Sequence, residues 1–203
     1  FLGWSPKNNE SEIISLFDIS KIFDISDINK SGAKFNWEKL NWINSQYIKK
    51  MSLKKLAILF KKYWDGMSWV SPSPEWELKL TTLLRDSVIL LKDSIDQAEP
   101  FFLIPTLQTE SKELFEKEES KMSLKYTLNL LKEDNNCNLD TNKAKEIINK
   151  ISIKHSIKKG IIMKSLRVAF FGCLKGPDLI QSWVLFSENN SDISRIERCF
   201  ISS

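Results

Sequence analysis

The feature that most restricts this chain is the recurrence of apolar residues at intervals of three and four, in runs opened by residues able to cap a helix. Asn36 precedes Trp37, Leu40, Ile43 and Tyr47. Ser52 precedes Leu53, Leu56, Leu59, Phe60 and Tyr63, and Asp140 precedes Ala144, Ile147, Ile148 and Ile151. A side-chain oxygen at such a position accepts an N–H that the first helical turn leaves without a partner, and the spacing gathers the apolar side chains on one face. No segment alternates apolar and polar residues between hairpin turns. The pattern therefore predicts an all-α fold of helical bundles.

The same reasoning places the other elements. Ile13, Ile14, Phe17, Ile22 and Phe23 suggest a helix over residues 11–23, broken by Lys30-Ser31-Gly32. Ser73 as cap with Pro74 in the first turn predicts a long helix through Trp76, Leu80, Leu83, Leu84, Val88 and Leu91. Pro100 to Pro105 reads as a joint, beyond which the chain turns acidic and polar, with helical spacing through Leu114, Phe115, Leu124, Leu128 and Leu131. Asp134-Asn135-Asn136 reads as a turn, and a last helix starts near Ser191.

The most distinctive stretch is Gly160 to Leu179. Gly160, after Lys158-Lys159, looks like a helix C-terminal glycine, and a new apolar period begins at Ile161. Leu166, Phe170 and Leu174 share a face, which turns Lys164 and Arg167 elsewhere. Gly172 and Gly176 permit positive φ, and Pro177 suits the first turn of an apolar helix from Leu179 to Phe186. Free N–H groups beside an arginine make this corner a candidate seat for a phosphate or a base edge, although an ordinary helix–turn–helix corner has the same pattern.

At 203 residues, 42% of them hydrophobic, the chain can bury a sizeable core and exceeds one small unit. Its net charge of +4 does not by itself mark a nucleic-acid binder. The cluster Lys49, Lys50, Lys54, Lys55, Lys61 and Lys62 fits a solvated face as well as a phosphate-contacting one. Cys137, Cys173 and Cys199 form neither zinc spacing nor a disulfide framework, and His155 has no second histidine to join it. No apolar run reaches membrane-spanning length, so no membrane association is expected. A phosphate loop, a dinucleotide glycine fingerprint and a metal-binding cluster are all missing. Phe1-Leu2-Gly3-Trp4 reads like the interior of a domain, so the chain is expected to be a piece of a longer protein.

Lys158-Lys159-Gly160, Met163-Lys164-Ser165-Leu166-Arg167 with Ala169, and Gly172-Cys173-Leu174-Lys175-Gly176-Pro177-Asp178-Leu179 closely resemble the C-terminal signature of bacterial-type glutamyl-tRNA synthetases, with the cyanobacterial and plastid branch nearest. The resemblance recurs, in the family's order, at Phe1-Leu2-Gly3-Trp4-Ser5, from Phe35-Asn36-Trp37-Glu38-Lys39 through Trp42 to Ile48, and at Leu91-Lys92-Asp93 running into Phe101-Phe102. It implies three parts: residues 1–51 as the end of a stem-contact region, then residues 52–104 and 105–203 as two helical domains forming an anticodon-binding α-helix cage.

By that resemblance the chain would recognise the anticodon of tRNA(Glu) without charging it. ATP and Mg2+ would act in the catalytic domain of the same enzyme, whose HIGH and KMSKS-type signatures do not occur here. A monomer in the cytoplasm or a plastid stroma is expected. Arg167 corresponds to an arginine in the family's anticodon pocket, and Gly176, Pro177 and Leu179 to the turn that holds the first two anticodon bases. Some relatives have Thr in place of Gly176, which would leave backbone groups to do that reading here. Lys39 and Trp42 correspond to a block that approaches the tRNA body, although Trp42 also fits core packing beside Tyr47. Discriminating members carry an Arg aligned with Ser87 that checks the third anticodon base. Ser87 therefore suggests a non-discriminating parent that also accepts tRNA(Gln), unless Arg85 substitutes. The competing expectation is a helical protein-interaction module that has lost RNA binding.

Overall fold

In the computed structural model of the chain the described residues are 3–4, 6, 13–29, 32, 34–133 and 139–201. The break at Lys30-Ser31, the turn at Asp134-Asn135-Asn136, Cys137, and Phe1, Leu2 and Ser5 of the opening block lie outside them. Among the described residues the regular structure is helical, with no strand. The helices are α1 (Leu16–Ile22), α2 (Trp37–Lys50), α3 (Leu53–Trp64), α4 (Pro74–Leu84), α5 (Ser94–Phe102), α6 (Thr109–Glu116), α7 (Glu118–Glu133), α8 (Thr141–His155), α9 (Lys159–Phe171), α10 (Leu179–Glu188) and α11 (Asp192–Ile201).

Local caps start several of them. The Asn36 side chain accepts from the Lys39 N–H at 3.0 Å, and Ser73 accepts from the Trp76 N–H at 3.1 Å with Pro74 next to it. One Asp140 oxygen takes the N–H groups of both Asn142 and Lys143. Ser52 occupies its cap position with no side-chain hydrogen bond.

Several elements differ from the sequence reading. The run from Trp76 to Leu91 is not one helix, because α4 ends at Leu84. There the Ser87 hydroxyl donates to the Leu84 carbonyl at 2.8 Å, and the Asp93 carboxylate takes the Leu90 N–H at 2.7 Å to start a short 3-10 turn, Leu91–Asp93. Val88 still points inward, fully buried, so its apolar character served the core without helical geometry. Gly160 lies inside the first turn of α9. The left-handed residue that ends α8 is Ser156, at φ 56°. Pro100 is within α5, which moves the joint to 103–108, and Pro177 precedes the α10 cap, Asp178, instead of entering the helix. Leu174 lies beyond the end of α9 and is exposed, so it does not join the buried face of Leu166 and Phe170.

The buried side chains form one cluster across α3–α5 and α6–α11. Phe101 of α5 stacks on Phe186 of α10 with ring centroids 4.9 Å apart, and the Trp76 indole N–H donates to the Leu185 carbonyl at 2.9 Å. Both phenylalanines are fully buried, and burial of each contributes about 1.5–3 kcal/mol. The first two helices contribute little to this core, which α2 joins through Ile48. α1 buries nothing, α2 buries only Ile48, and the Tyr47 hydroxyl donates to the Ile14 carbonyl at 2.9 Å.

Candidate functional site

The corner between α9 and α10 is built by backbone that few residue types could supply. Gly172 ends α9 at φ 71°, donating to the Val168 carbonyl at 2.8 Å, and its own carbonyl takes the Gln108 N–H at 3.0 Å. A β-carbon there would stand 2.3 Å from the Thr106 carbonyl oxygen. The turn continues through Gly176 at φ 148°, where a β-carbon would lie 3.2 Å from the Phe171 ring and 3.3 Å from Arg167 Nη1. A side chain at this position would press on both groups and on an unfavourable φ.

Arg167 binds this turn from the preceding helix. Its Nη1 donates to the carbonyls of Gly176 at 3.0 Å and Pro177 at 2.8 Å. A guanidinium has five N–H donors, so the Nε and Nη2 hydrogens remain for a ligand at the half-buried edge of the corner. Asp178 caps α10, its carboxylate accepting from the Gln181 N–H at 2.9 Å. That negative charge at the helix start opposes a phosphate and favours a neutral base edge. Leu179 is buried, so it can meet a ligand only through its main chain.

Arg85 and Ser87 occupy the loop after α4. The Arg85 guanidinium donates to the carbonyls of Lys49 and Met51, the latter at 2.6 Å, and so ties this loop to the α2–α3 junction. Ser87 is exposed, with its hydroxyl turned to Leu84. A depression of about 220 Å³ between α4 and α10 includes Thr82 and Leu83 from the last turn of α4 and Gln181 from the first turn of α10. The end of α4 that leads to Ser87 and the start of α10 that follows Pro177 thus face the same hollow. A second groove, of about 500 Å³ between α7 and α8, is walled by Tyr126 stacked on His155 with centroids 3.4 Å apart.

Lys39 and Trp42 lie elsewhere, on α2. Trp42 is 46% exposed and Tyr47 45%, so the two do not form a packed core pair. Within the lysine cluster, Lys61 is paired with Glu77 at 2.7 Å, while Lys50, Lys54, Lys55 and Lys62 are exposed.

Sequence reasoning missed Arg195 and Arg198 of α11. Arg195 is 1% exposed and donates to the carbonyls of Phe170 at 2.9 Å and Leu103 at 3.0 Å, with its guanidinium 4.2 Å from the centre of the Phe186 ring. Arg198 donates to the carbonyls of Pro105 and Ala169, the latter at 3.0 Å. Burial pulls the Arg195 pKa down to about 10, which leaves it charged at neutral pH. The available signal was composition. Only four of the 30 basic residues are arginine, and each of the four bridges two backbone carbonyls.

Comparison with known proteins supplies the frame for this geometry. The model of the anticodon binding domain family matches residues 38–200. A glutamate–tRNA ligase from Prochlorococcus marinus strain MIT 9515 is 67% identical over 202 residues, 99% of this chain, and the ligase of strain MIT 9211 is 43% identical over 198 residues. The chain spans 42% of the length of each. Among solved structures, a glutamate–tRNA ligase from Elizabethkingia meningosepticum, in complex with its amino acid, superposes with a TM-score of 0.89 at 28% identity, over 99% of this chain and 39% of that one.

Proposed function

We propose that this chain, which belongs to the anticodon-binding domain family and corresponds to the anticodon-binding part of the glutamate–tRNA ligases, binds tRNA(Glu) by reading unpaired anticodon bases against the turn from Gly172 to Asp178. The observation that carries this reading is the Arg167 fork. Nη1 is fixed on two carbonyls of the turn, which orients the remaining donors toward a base edge without further ordering on binding. Splayed single-stranded bases are recognised in this way, through arginine, main-chain groups and apolar contacts. Exposed Lys39 and Trp42 on α2 supply a second contact to the tRNA body, the cation to phosphate and the indole to a sugar or base face.

Charging of tRNA would belong to a catalytic domain of the parent protein, with ATP and Mg2+, in the cytoplasm or a plastid stroma. Among the described residues no group of three or more His, Cys, Asp or Glu is placed to hold a metal. No helix among them is long and apolar enough to cross a membrane. We take the chain to bind tRNA as a monomer. The protein-interaction alternative has no support among the relatives.

The test is binding of the 203-residue chain to tRNA(Glu) across a salt series. Affinity should fall steeply as salt rises. Arg167→Ala should cost about 1–3 kcal/mol, an about 5- to 150-fold loss, if the guanidinium meets a base edge. Affinity that is flat in salt, or a folded Arg167→Ala that binds like the wild type, refutes the reading.

A finer reading concerns the third anticodon base. Ser87 is small and exposed and offers no guanidinium to that base, while the Arg85 Nη2 is committed to the Lys49 and Met51 carbonyls; the Ser87 position is what supports acceptance of both tRNA(Glu) and tRNA(Gln). Equal affinity for the two, and a new preference for cytosine in Ser87→Arg, are expected. A wild-type preference for cytosine would overturn this finer reading alone.

A further inference from the structure

We infer that Arg195 and Arg198 are positioning residues for anticodon reading: they set where the Arg167 turn stands without touching RNA. The inference rests on the function proposed above. The last carbonyls of α9 have no helical partners, and two of them, at Ala169 and Phe170, are taken by guanidinium groups from α11. The same two side chains hold the carbonyls of Leu103 and Pro105, in the link between α5 and α6. Gly172 completes the junction, with its carbonyl on the Gln108 N–H and its α-carbon packed under the Thr106 carbonyl.

Three segments far apart in sequence are thus held in one frame immediately before the turn that Arg167 grips. The Arg195 fork is further fixed by the Phe186 ring and, through Nε, by the Ser191 hydroxyl at 3.3 Å. A lysine in either position keeps the charge, but one compact ammonium on a flexible stem does not reproduce a planar fork across two carbonyls. The α9 terminus would then lose its fixed relation to the link, and the turn beyond it would lose its register on the bases. Phosphate contacts made by exposed lysines would be unaffected.

The experiment measures affinity of the 203-residue chain for tRNA(Glu) and for the same tRNA with its second anticodon base replaced, in wild type, Arg198→Lys, Arg195→Lys and Arg167→Ala. Every chain is checked by circular dichroism to be folded at the assay temperature. In Arg198→Lys the ratio of the two affinities should fall by about fivefold or more, the lower edge of the value of one base contact, while the salt slope stays that of the wild type. Leu56→Ala, a core change that removes none of these bonds, should lower the melting temperature and keep the wild-type ratio. Arg195 is the deeper of the two, and half-buried Arg198 carries the test alone should Arg195→Lys fail to fold. If Arg198→Lys melts lower yet keeps the wild-type ratio, the two arginines are merely structural and the inference falls. If Arg167→Ala also keeps the ratio, the anticodon reading itself has failed and takes the inference with it.

Discussion

Replacing Gly172 by alanine perturbs the junction with a single methyl group. At φ 71° an L-residue is in the left-handed region, which costs about 1–2 kcal/mol relative to its ordinary conformation. The new β-carbon would stand 2.3 Å from the Thr106 carbonyl oxygen and 3.5 Å from the Pro105 β-carbon, so backbone must shift rather than a flexible side chain. Overpacking of this kind costs about 1–3 kcal/mol. Together the two effects come to about 2–5 kcal/mol, or about 4–20 °C in melting temperature for a chain of this size. The control is Gly160→Ala. Gly160 lies in the first turn of α9 with nothing near its β-position, so alanine there should be neutral or stabilising by up to about 1 kcal/mol. Thermal unfolding followed at 222 nm measures both. A Gly172→Ala melting point within 2 °C of the wild type, a shift below the estimated range, would refute the argument that this glycine is required by the close approach of the 105–108 link.

Two further perturbations probe the buried polar groups. Burial pushes the Cys199 thiol up to about 11 and leaves it 4% exposed, whereas Cys173 is partly exposed on the turn. In a Cys137→Ser background, iodoacetamide at neutral pH should modify Cys173 and spare Cys199 until the chain is denatured, as read by peptide mass spectrometry. Equal labelling in the folded state would contradict the buried placement of Cys199. Burial also raises the Asp192 carboxyl pKa, against the hydrogen bonds it accepts from the Ile193 N–H and the Trp183 indole. The folded state therefore favours the protonated acid. Its contribution to stability is fully present below the unfolded carboxyl value of about 3.9 and declines as pH rises through the folded one. The stability of wild type minus that of Asp192→Asn, measured by urea unfolding, should fall as pH rises through that window, and a flat or rising difference would show the sign to be wrong.

What the sequence disclosed was what neighbouring residues decide. Asn36, Ser73 and Asp140 cap helices a few residues downstream, and the corner at Gly172, Gly176 and Asp178 lies close after Arg167 in the sequence, so periodicity and turn chemistry reach them. The end of α4 was hidden because distant partners set it: Arg85 is drawn to carbonyls of residues 49 and 51, and Val88 is apolar for the core and not for a helix. Ser156 takes a left-handed conformation in which glycine is the usual signal, while the nearby Gly160 misled by proximity to lysines. Arg195 was invisible for the same reason as the end of α4, because one of its carbonyl partners lies 92 residues away. The exposure of Trp42 could not be read from spacing, since the face of α2 that looks apolar in sequence is largely uncovered here.

The shared core across the Leu103–Gln108 link also bears on how the chain is made. The faces of α4 and α5 that carry Trp76 and Phe101 find their partners in Leu185 and Phe186, about a hundred residues later. A ribosome adding about 5–20 residues per second leaves those aromatic faces uncovered for about 5–20 s. During that interval α3–α5 can pack on one another but leave the Trp76 and Phe101 faces without their α10 cover, and a holding chaperone has its longest opportunity to bind. Translation that pauses before α10 emerges would prolong the hazard, whereas a pause after α11 would do the nascent chain little harm.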